Sequence, residues 1–167
     1  IIDDKNFGLI IKTKKQKFLK DKLGDVYNLL VEAKKTGRCI VFDDHAKHHS
    51  KNFEDIPAKV AMASDLTIHD TLAAGTAGLE SALIGTRSIY FDYLGLQKSL
   101  FDDKNLDIVY RDWNVLWKNI KKDFEKKSKT LGNWDNIIDK FDSYRDGKAN
   151  LRIMNFVNKL IEEKNLN

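Results

Sequence analysis

Short aliphatic runs alternate along this chain with longer stretches whose apolar residues recur every three or four positions. Gly8-Leu9-Ile10-Ile11-Lys12 predicts a short buried strand, apolar and β-branched at its centre. Phe18, Leu19, Leu23, Val26, Tyr27, Leu30 and Ala33 then mark one amphipathic helix, with Gly37 placed where a helix C-terminal glycine belongs. Cys39-Ile40-Val41-Phe42 predicts the second strand, opening into the polar stretch 43–49. Pro57 opens a short helix through Ala63, and Leu66-Thr67-Ile68-His69 is the third strand. A small, glycine-bearing stretch, 71–78, leads into a helix over Leu79 to Ile84 that Gly85 stops. Arg87 to Asp92 forms a fourth strand and Asp107 to Tyr110 a fifth, at the sheet edge.

Beyond residue 110 the pattern turns helical. Trp113, Leu116, Trp117, Ile120 and Phe124 share one face, as do Trp134, Ile137, Ile138 and Phe141. A last helix carries Leu151, Met154, Val157, Leu160 and Ile161, and these stripes are expected to be core. The alternation predicts an α/β fold: a Rossmann-like parallel sheet with helices on both faces and a helical C-terminus. The second and third strands are expected to be neighbours in that sheet, and residues 1–167 to form a single domain.

Composition narrows the classes. A chain of 167 residues can bury roughly 70% of its unfolded surface, enough for a core without disulfides. The 42% hydrophobic content excludes wholesale disorder, and no apolar run is long enough to span a bilayer. Cys39 is the only cysteine, which excludes an internal disulfide and a thiolate zinc cluster and suits the reducing cytoplasm. A start at Ile1 rather than Met raises the expectation of a piece of a longer protein. The net charge of +4 is modest, so lysine runs such as 12–17 and 118–122 are expected to be solvated helix surface rather than a nucleic-acid footprint.

The chemistry concentrates between Ser64 and Asp92. In an open parallel sheet, ligands sit at the carboxyl ends of the strands, where a glycine-bearing turn enters a helix. Free N–H groups and the helix dipole make that helix N-terminus attractive to anions. Gly75 and Gly78 let backbone approach a phosphate, Thr76 can donate a hydroxyl, and Glu80 can accept from a ribose diol. The turn is neither GxGxxG nor a Walker A loop, which disfavours a dehydrogenase or a P-loop NTPase. The same residues also suit a plain strand–helix turn with Glu80 as a surface acid.

The segment from Ala63 to Arg87, with Gly75-Thr76-Ala77-Gly78-Leu79-Glu80-Ser81-Ala82-Leu83-Ile84-Gly85 at its centre, resembles the C-terminal half of GT-B glycosyltransferases. It is particularly similar to bacterial surface-polysaccharide enzymes of the Kdo-transferase-like and CDP-glycerol-transferase-like groups. The stretch from Tyr144 to Ile153 resembles an Arg-Asp-Gly-x-Ala-x-x-Arg-Ile signature of the same proteins. The resemblance implies a nucleotide-activated sugar donor, with Glu80 on the ribose and Gly75, Thr76, Ala77 and Gly78 on the phosphates. It implies capsule or lipopolysaccharide synthesis, a polysaccharide or lipid-linked acceptor bound by an N-terminal domain outside this chain, and room for peripheral membrane association of the whole protein. No cofactor, metal or nucleic-acid partner is expected. A whole GT-B enzyme has two Rossmann-like domains and this chain has room for one, so alone it is expected to be inactive.

Other residues are weaker candidates. Lys12, with Lys14, would form a cationic rim near the phosphates, and Lys12 matches a position where the resembling proteins carry a basic residue. His45, in the loop with His48 and His49, would touch nucleotide or sugar; its spacing matches no standard metal site. His69 is the candidate catalytic residue, its imidazolium offsetting charge on the leaving phosphate, or else it braces the turn. Cys39 lies in a buried strand and is not expected to be a catalytic thiol. Asp146 or Gly147 would cap the last helix, with Arg145 and Arg152 alternatively pairing with carboxylates of the absent domain. Two other functions fit the same fold: a nucleotide-sugar 2-epimerase-like domain, and a non-enzymatic basic module for nucleic acid or an acidic partner.

Overall fold

Leu9, Ile10 and Ile11 pair in parallel with Cys39, Ile40 and Val41, forming strands β1 (Leu9–Ile11) and β2 (Cys39–Val41). The segment between them is not one helix. A five-residue helix α1 (Leu19–Leu23) gives way to a 3-10 turn over Gly24–Val26, and α2 (Tyr27–Lys35) follows. Gly24 takes a φ of 50°, the left-handed region, and that interrupts the helical path. Leu30 and Ala33 of α2 bury with Cys39, and Ile11, Val41, Leu19, Leu23 and Tyr27 pack around them. The structure, a computed structural model, describes residues 1–13, 19–42, 57–70, 75–95, 101 and 106–165.

After α3 (Pro57–Met62), the remaining strands form a separate parallel sheet. Its order is β3 (Leu66–His69), β4 (Arg87–Phe91), β5 (Val109–Tyr110), with His69 beside Tyr90 and Phe91 beside Tyr110. The expected pairing of β2 with β3 does not occur among the described residues. The β1–β2 ladder is only three residues long and its second face is uncovered, Ile40 standing 55% exposed. Among the described residues two small parallel sheets therefore stand in place of the single one, and the fold is α/β in that sense.

Helix α4 (Thr76–Leu83) connects β3 to β4, beginning three residues earlier than the apolar spacing predicts. It covers one face of β4, because a Cβ on Gly78 would fall 2.6 Å from the Tyr90 ring. Helix α5 (Trp113–Lys126) covers the other face, where Leu116, Ile120 and Leu131 bury Ile89. Phe7 packs into the same cluster, its ring centroid 5.2 Å from Trp117 and 5.5 Å from Phe124. Asp112 caps α5, its Oδ1 accepting from the Asn114 and Val115 amides at 2.7 and 3.1 Å.

Residues 1–133 form one compact unit and residues 134–167 another. In the second, the helix expected through Trp134 and Phe141 is absent. Turns and a 3-10 turn over Ile138–Lys140 take its place, with the Trp134 carbonyl accepting from the amides of Ile137 and Ile138 (both 2.9 Å). Helix α6 (Ala149–Asn165) then runs for seventeen residues. Its apolar stripe is not core: Leu151, Met154, Val157, Leu160 and Ile161 are all exposed, because nothing in so small a unit covers them. Trp113, at the start of α5, is also half exposed.

Candidate functional site

β3 runs parallel to β4, so the chain must leave β3 at its carboxyl end and return through α4 to the start of β4. His69 therefore stands at the carboxyl edge of the three-stranded sheet, and α4 opens at that same edge. Leu79 donates the first α4 hydrogen bond back to the Gly75 carbonyl (3.1 Å), so the amides of Thr76, Ala77 and Gly78 precede the helical ladder. Gly75, at the N-cap, contributes no side-chain cap to them. Thr76 and Glu80 lie one turn apart and are both exposed, while Ala77 is half-buried and Gly78 buried.

Tyr90 holds this turn from beneath. Its hydroxyl donates to the Gly75 carbonyl, and burial pushes its pKa up to about 12, so it stays protonated as a donor at neutral pH. The Leu79 amide opposes that shift weakly. Gly78 thus has a packing role: the space of its missing side chain belongs to the Tyr90 ring, on which the first turn of α4 rests.

His69 is built into the same corner. Its Nε2 lies 3.1 Å from Thr67 Oγ1 and 3.5 Å from Ser81 Oγ. Both hydroxyl protons are already spent, Thr67 donating to the Arg87 carbonyl (3.2 Å) and Ser81 to the Ala77 carbonyl (2.8 Å). The two oxygens can only accept, which makes Nε2 the protonated nitrogen and leaves the Nδ1 lone pair unassigned to either. Burial lowers the His69 pKa below its ordinary value, with the Asp70 carboxylate opposing. The neutral imidazole is therefore the favoured form, against the imidazolium expected from sequence. A neutral ring can accept a proton or a hydrogen bond; it is not a standing cation.

The remaining candidates are scattered. Lys12 follows β1, in the other sheet, and is half-buried. Lys14, His45, His48 and His49 lie outside the described residues, as does the stretch 71–74 before Gly75. Among the described residues no group of three or more His, Cys, Asp or Glu is placed to hold a metal ion. Burial raises the Cys39 thiol pKa, with Lys34 opposing, which keeps it a poor nucleophile. Arg152 pairs with Asp146 inside this chain through two 2.9 Å bonds. Asp146 accepts from the Lys148 amide just ahead of α6 instead of capping it.

Sequence reading passed over the supporting residues Thr67, Ser81 and Tyr90. Only the pairing of a helix-interior glycine with an aromatic on the next strand signals Tyr90, and that pairing depends on register. No protein-family model matches the chain, and comparisons with curated proteins and with solved structures find no match.

Proposed function

We propose that this chain is the nucleotide-sugar-binding half of a GT-B glycosyltransferase of bacterial surface-polysaccharide synthesis. The supporting observation is the corner made by β3, α4 and β4. Three amides at the start of α4 precede the helical ladder, and Thr76 stands exposed beside them at the carboxyl edge of a parallel sheet. That arrangement suits a phosphate, and the exposed Glu80 carboxylate one turn further along suits a ribose diol. The motif that resembles the GT-B donor half falls on these same residues.

On this reading the domain's contribution is electrostatic. Backbone amides and the Thr76 hydroxyl take charge that develops on the leaving nucleotide, and the Tyr90–Gly75 bond fixes those donors beforehand. His69, neutral at rest, is placed to donate or accept a proton at the same edge. The Rossmann-like description extends the two small parallel sheets to the architecture those enzymes share. Acceptor binding and the second half of the active site belong to an N-terminal domain outside this chain.

A thermal-shift titration with CMP, CDP, UDP, GDP and ADP tests the reading, run on the wild type and on Glu80→Ala. A ligand at about 100 times its Kd adds about 2.7 kcal/mol, worth several degrees in a chain of this size. The expected result is a shift with one base that Glu80→Ala abolishes. Equal shifts in both proteins, or none with any nucleotide on a longer native chain, refute the donor site.

A further inference from the structure

The net charge of this chain is concentrated on one helix. Residues 118–129, most of α5 and the loop after it, hold six lysines against Asp123 and Glu125, a net +4 that equals the charge of the whole chain, so the rest balances to zero. Asp123 is buried against Arg87, and the other seven charged side chains are exposed. At 3.6 residues per turn, Val115, Lys118, Lys122, Glu125 and Lys126 share an outward arc of about 100°, opposite Leu116, Ile120 and Phe124 of the core. Lys121 flanks that arc, its Nζ 5.4 Å from the Trp117 ring.

The amino-terminal end of the same helix is apolar. Trp113 stands edge-on to Phe91, ring centroids 5.5 Å apart, and Phe91 stacks on Tyr93 at 6.4 Å. Tyr93 and Leu94 form the tip of a turn that the Gly95 amide closes on the Asp92 carbonyl (3.3 Å). Tyr93, Leu94, Trp113 and Val115 are each at least half exposed. We propose that this turn and the outer face of α5 attach the protein to an anionic lipid surface, with the Tyr93-Leu94 tip and Trp113 at headgroup depth and the lysines over the anionic headgroups.

Charge and side-chain chemistry select that occupant. Lysines near a negatively charged leaflet each add attraction without needing a fixed geometry, while Trp and Tyr favour the boundary between headgroups and acyl chains. The stripe from 118 to 129 has no arginine, whose planar fork is what suits nucleic-acid phosphates and bases. A nucleic acid would also leave Leu94 and Val115 uncovered. The turn follows β4 and α5 follows β5, so both stand at the carboxyl edge of the three-stranded sheet, the edge at which α4 opens. The attachment does not depend on the nucleotide reading.

The test is co-sedimentation of the full chain with vesicles of phosphatidylcholine alone, or mixed in equal parts with phosphatidylglycerol, each with and without brominated acyl chains. Binding is expected to the mixed vesicles only, to fall away in high salt, and to bring tryptophan quenching by the brominated chains. Lys118→Gln combined with Lys122→Gln should weaken it about 30-fold, and Leu94→Ser about 10-fold. Trp113→Phe should bind within a few-fold of wild type yet lose most of the quenching, because Trp134 is buried and Trp117 half-buried. These variants alter exposed side chains, and circular dichroism checks that each is folded. No binding to the mixed vesicles overturns the proposal, and so does equal binding to phosphatidylcholine alone. Binding without quenching, or binding unchanged in Leu94→Ser, overturns the inserted tip. A DNA duplex of arbitrary sequence that displaces the protein from the mixed vesicles at equal phosphate concentration overturns the lipid surface and assigns the lysines to nucleic acid.

Discussion

Loss of Asp123 should cost this fold several kcal/mol, on the order of a broken buried ion pair. Asp123 lies in α5, 5% exposed, and its carboxylate collects five donors. Arg87, at the start of β4, donates to Oδ2 at 2.5 Å. Oδ1 accepts from the Ser128 hydroxyl (2.6 Å), the Thr130 amide (3.0 Å), the Leu131 amide (3.2 Å) and the Thr130 hydroxyl (3.4 Å). These contacts tie the loop after α5 to the sheet, and in that loop Lys127 and Lys129 hold left-handed φ values of 51° and 54°. Burial by itself would raise the Asp123 pKa, but the Ser128, Arg87 and Leu131 hydrogen bonds overcome it and hold the pKa at about 2. A fall from 3.8 to about 2 corresponds to about 2 kcal/mol of preference for the charged, folded form.

Asp123→Ala removes that preference, takes the acceptor from the Leu131 amide and leaves Arg87 with only the Asp65 and Leu131 carbonyls. Breaking a buried pair from one side costs about 3–5 kcal/mol, so a loss of about 3 kcal/mol or more is expected in urea unfolding. Asp123→Asn keeps an acceptor for the loop but turns an amide NH2 toward the guanidinium, and should lose slightly less. The sign with pH follows from the depressed pKa. The stabilisation is complete above the unfolded value near 3.8 and disappears as pH falls through about 2. Wild type and Asp123→Asn should therefore draw together in stability between about pH 4 and about pH 2. A wild-type-like midpoint for Asp123→Ala at pH 7, or a gap unchanged at pH 2.5, would refute this account of the pair.

Two further outcomes follow from the candidate site. Gly78→Ala forces a Cβ within 2.6 Å of three Tyr90 atoms, and Tyr90 has no exposure into which to retreat. Overpacking of that kind costs about 1–3 kcal/mol, only partly offset by about 1 kcal/mol of helix propensity, so a net loss in thermal melting is expected. His69, with its folded pKa below the ordinary 6.5, stabilises the chain fully above that value and loses its share as pH falls beneath it. Urea midpoints between pH 7.5 and 5.5 should drop more steeply for wild type than for His69→Asn.

The parts of the fold that could be read from sequence are those whose signal is local. Leu66–His69 and Arg87–Phe91 are aliphatic runs bounded by small or polar residues, and both are strands as expected. The apolar stripe of α5 likewise announces itself. The misreadings share a physical cause. Trp134, Ile137, Ile138 and Phe141 have helical spacing, yet over eight residues a series of turns satisfies it too, and all but the half-buried Phe141 bury without a helix. The stripe on α6 has correct helical periodicity, but periodicity gives a face and not the surface that covers it. Gly24 carries the right composition for either a helix interior or a break, and its φ decides for the break.

The site divides the same way. Gly75, Thr76 and Glu80 are visible because a glycine and two polar residues one turn apart mark the start of a helix, and they do open or line α4. The Tyr90 hydroxyl beneath Gly75, the two hydroxyls that set the His69 tautomer, and the Arg87–Asp123 pair all join residues from different elements. Register and packing bring them together, and no spacing along the chain encodes that.

The central claim is that the start of α4 receives a nucleotide phosphate, and amide-resolved NMR tests it most directly. Titrating 15N-labelled protein with the nucleotide that shifts its melting should move the amides of Thr76, Ala77 and Gly78 first and furthest. The His69 ring should move with them, and Glu80→Ala should weaken the response at the same positions. Shifts absent from Gly75 to Glu80 at saturating nucleotide, or centred on Lys118, Lys121 and Lys122 of α5, would contradict the account.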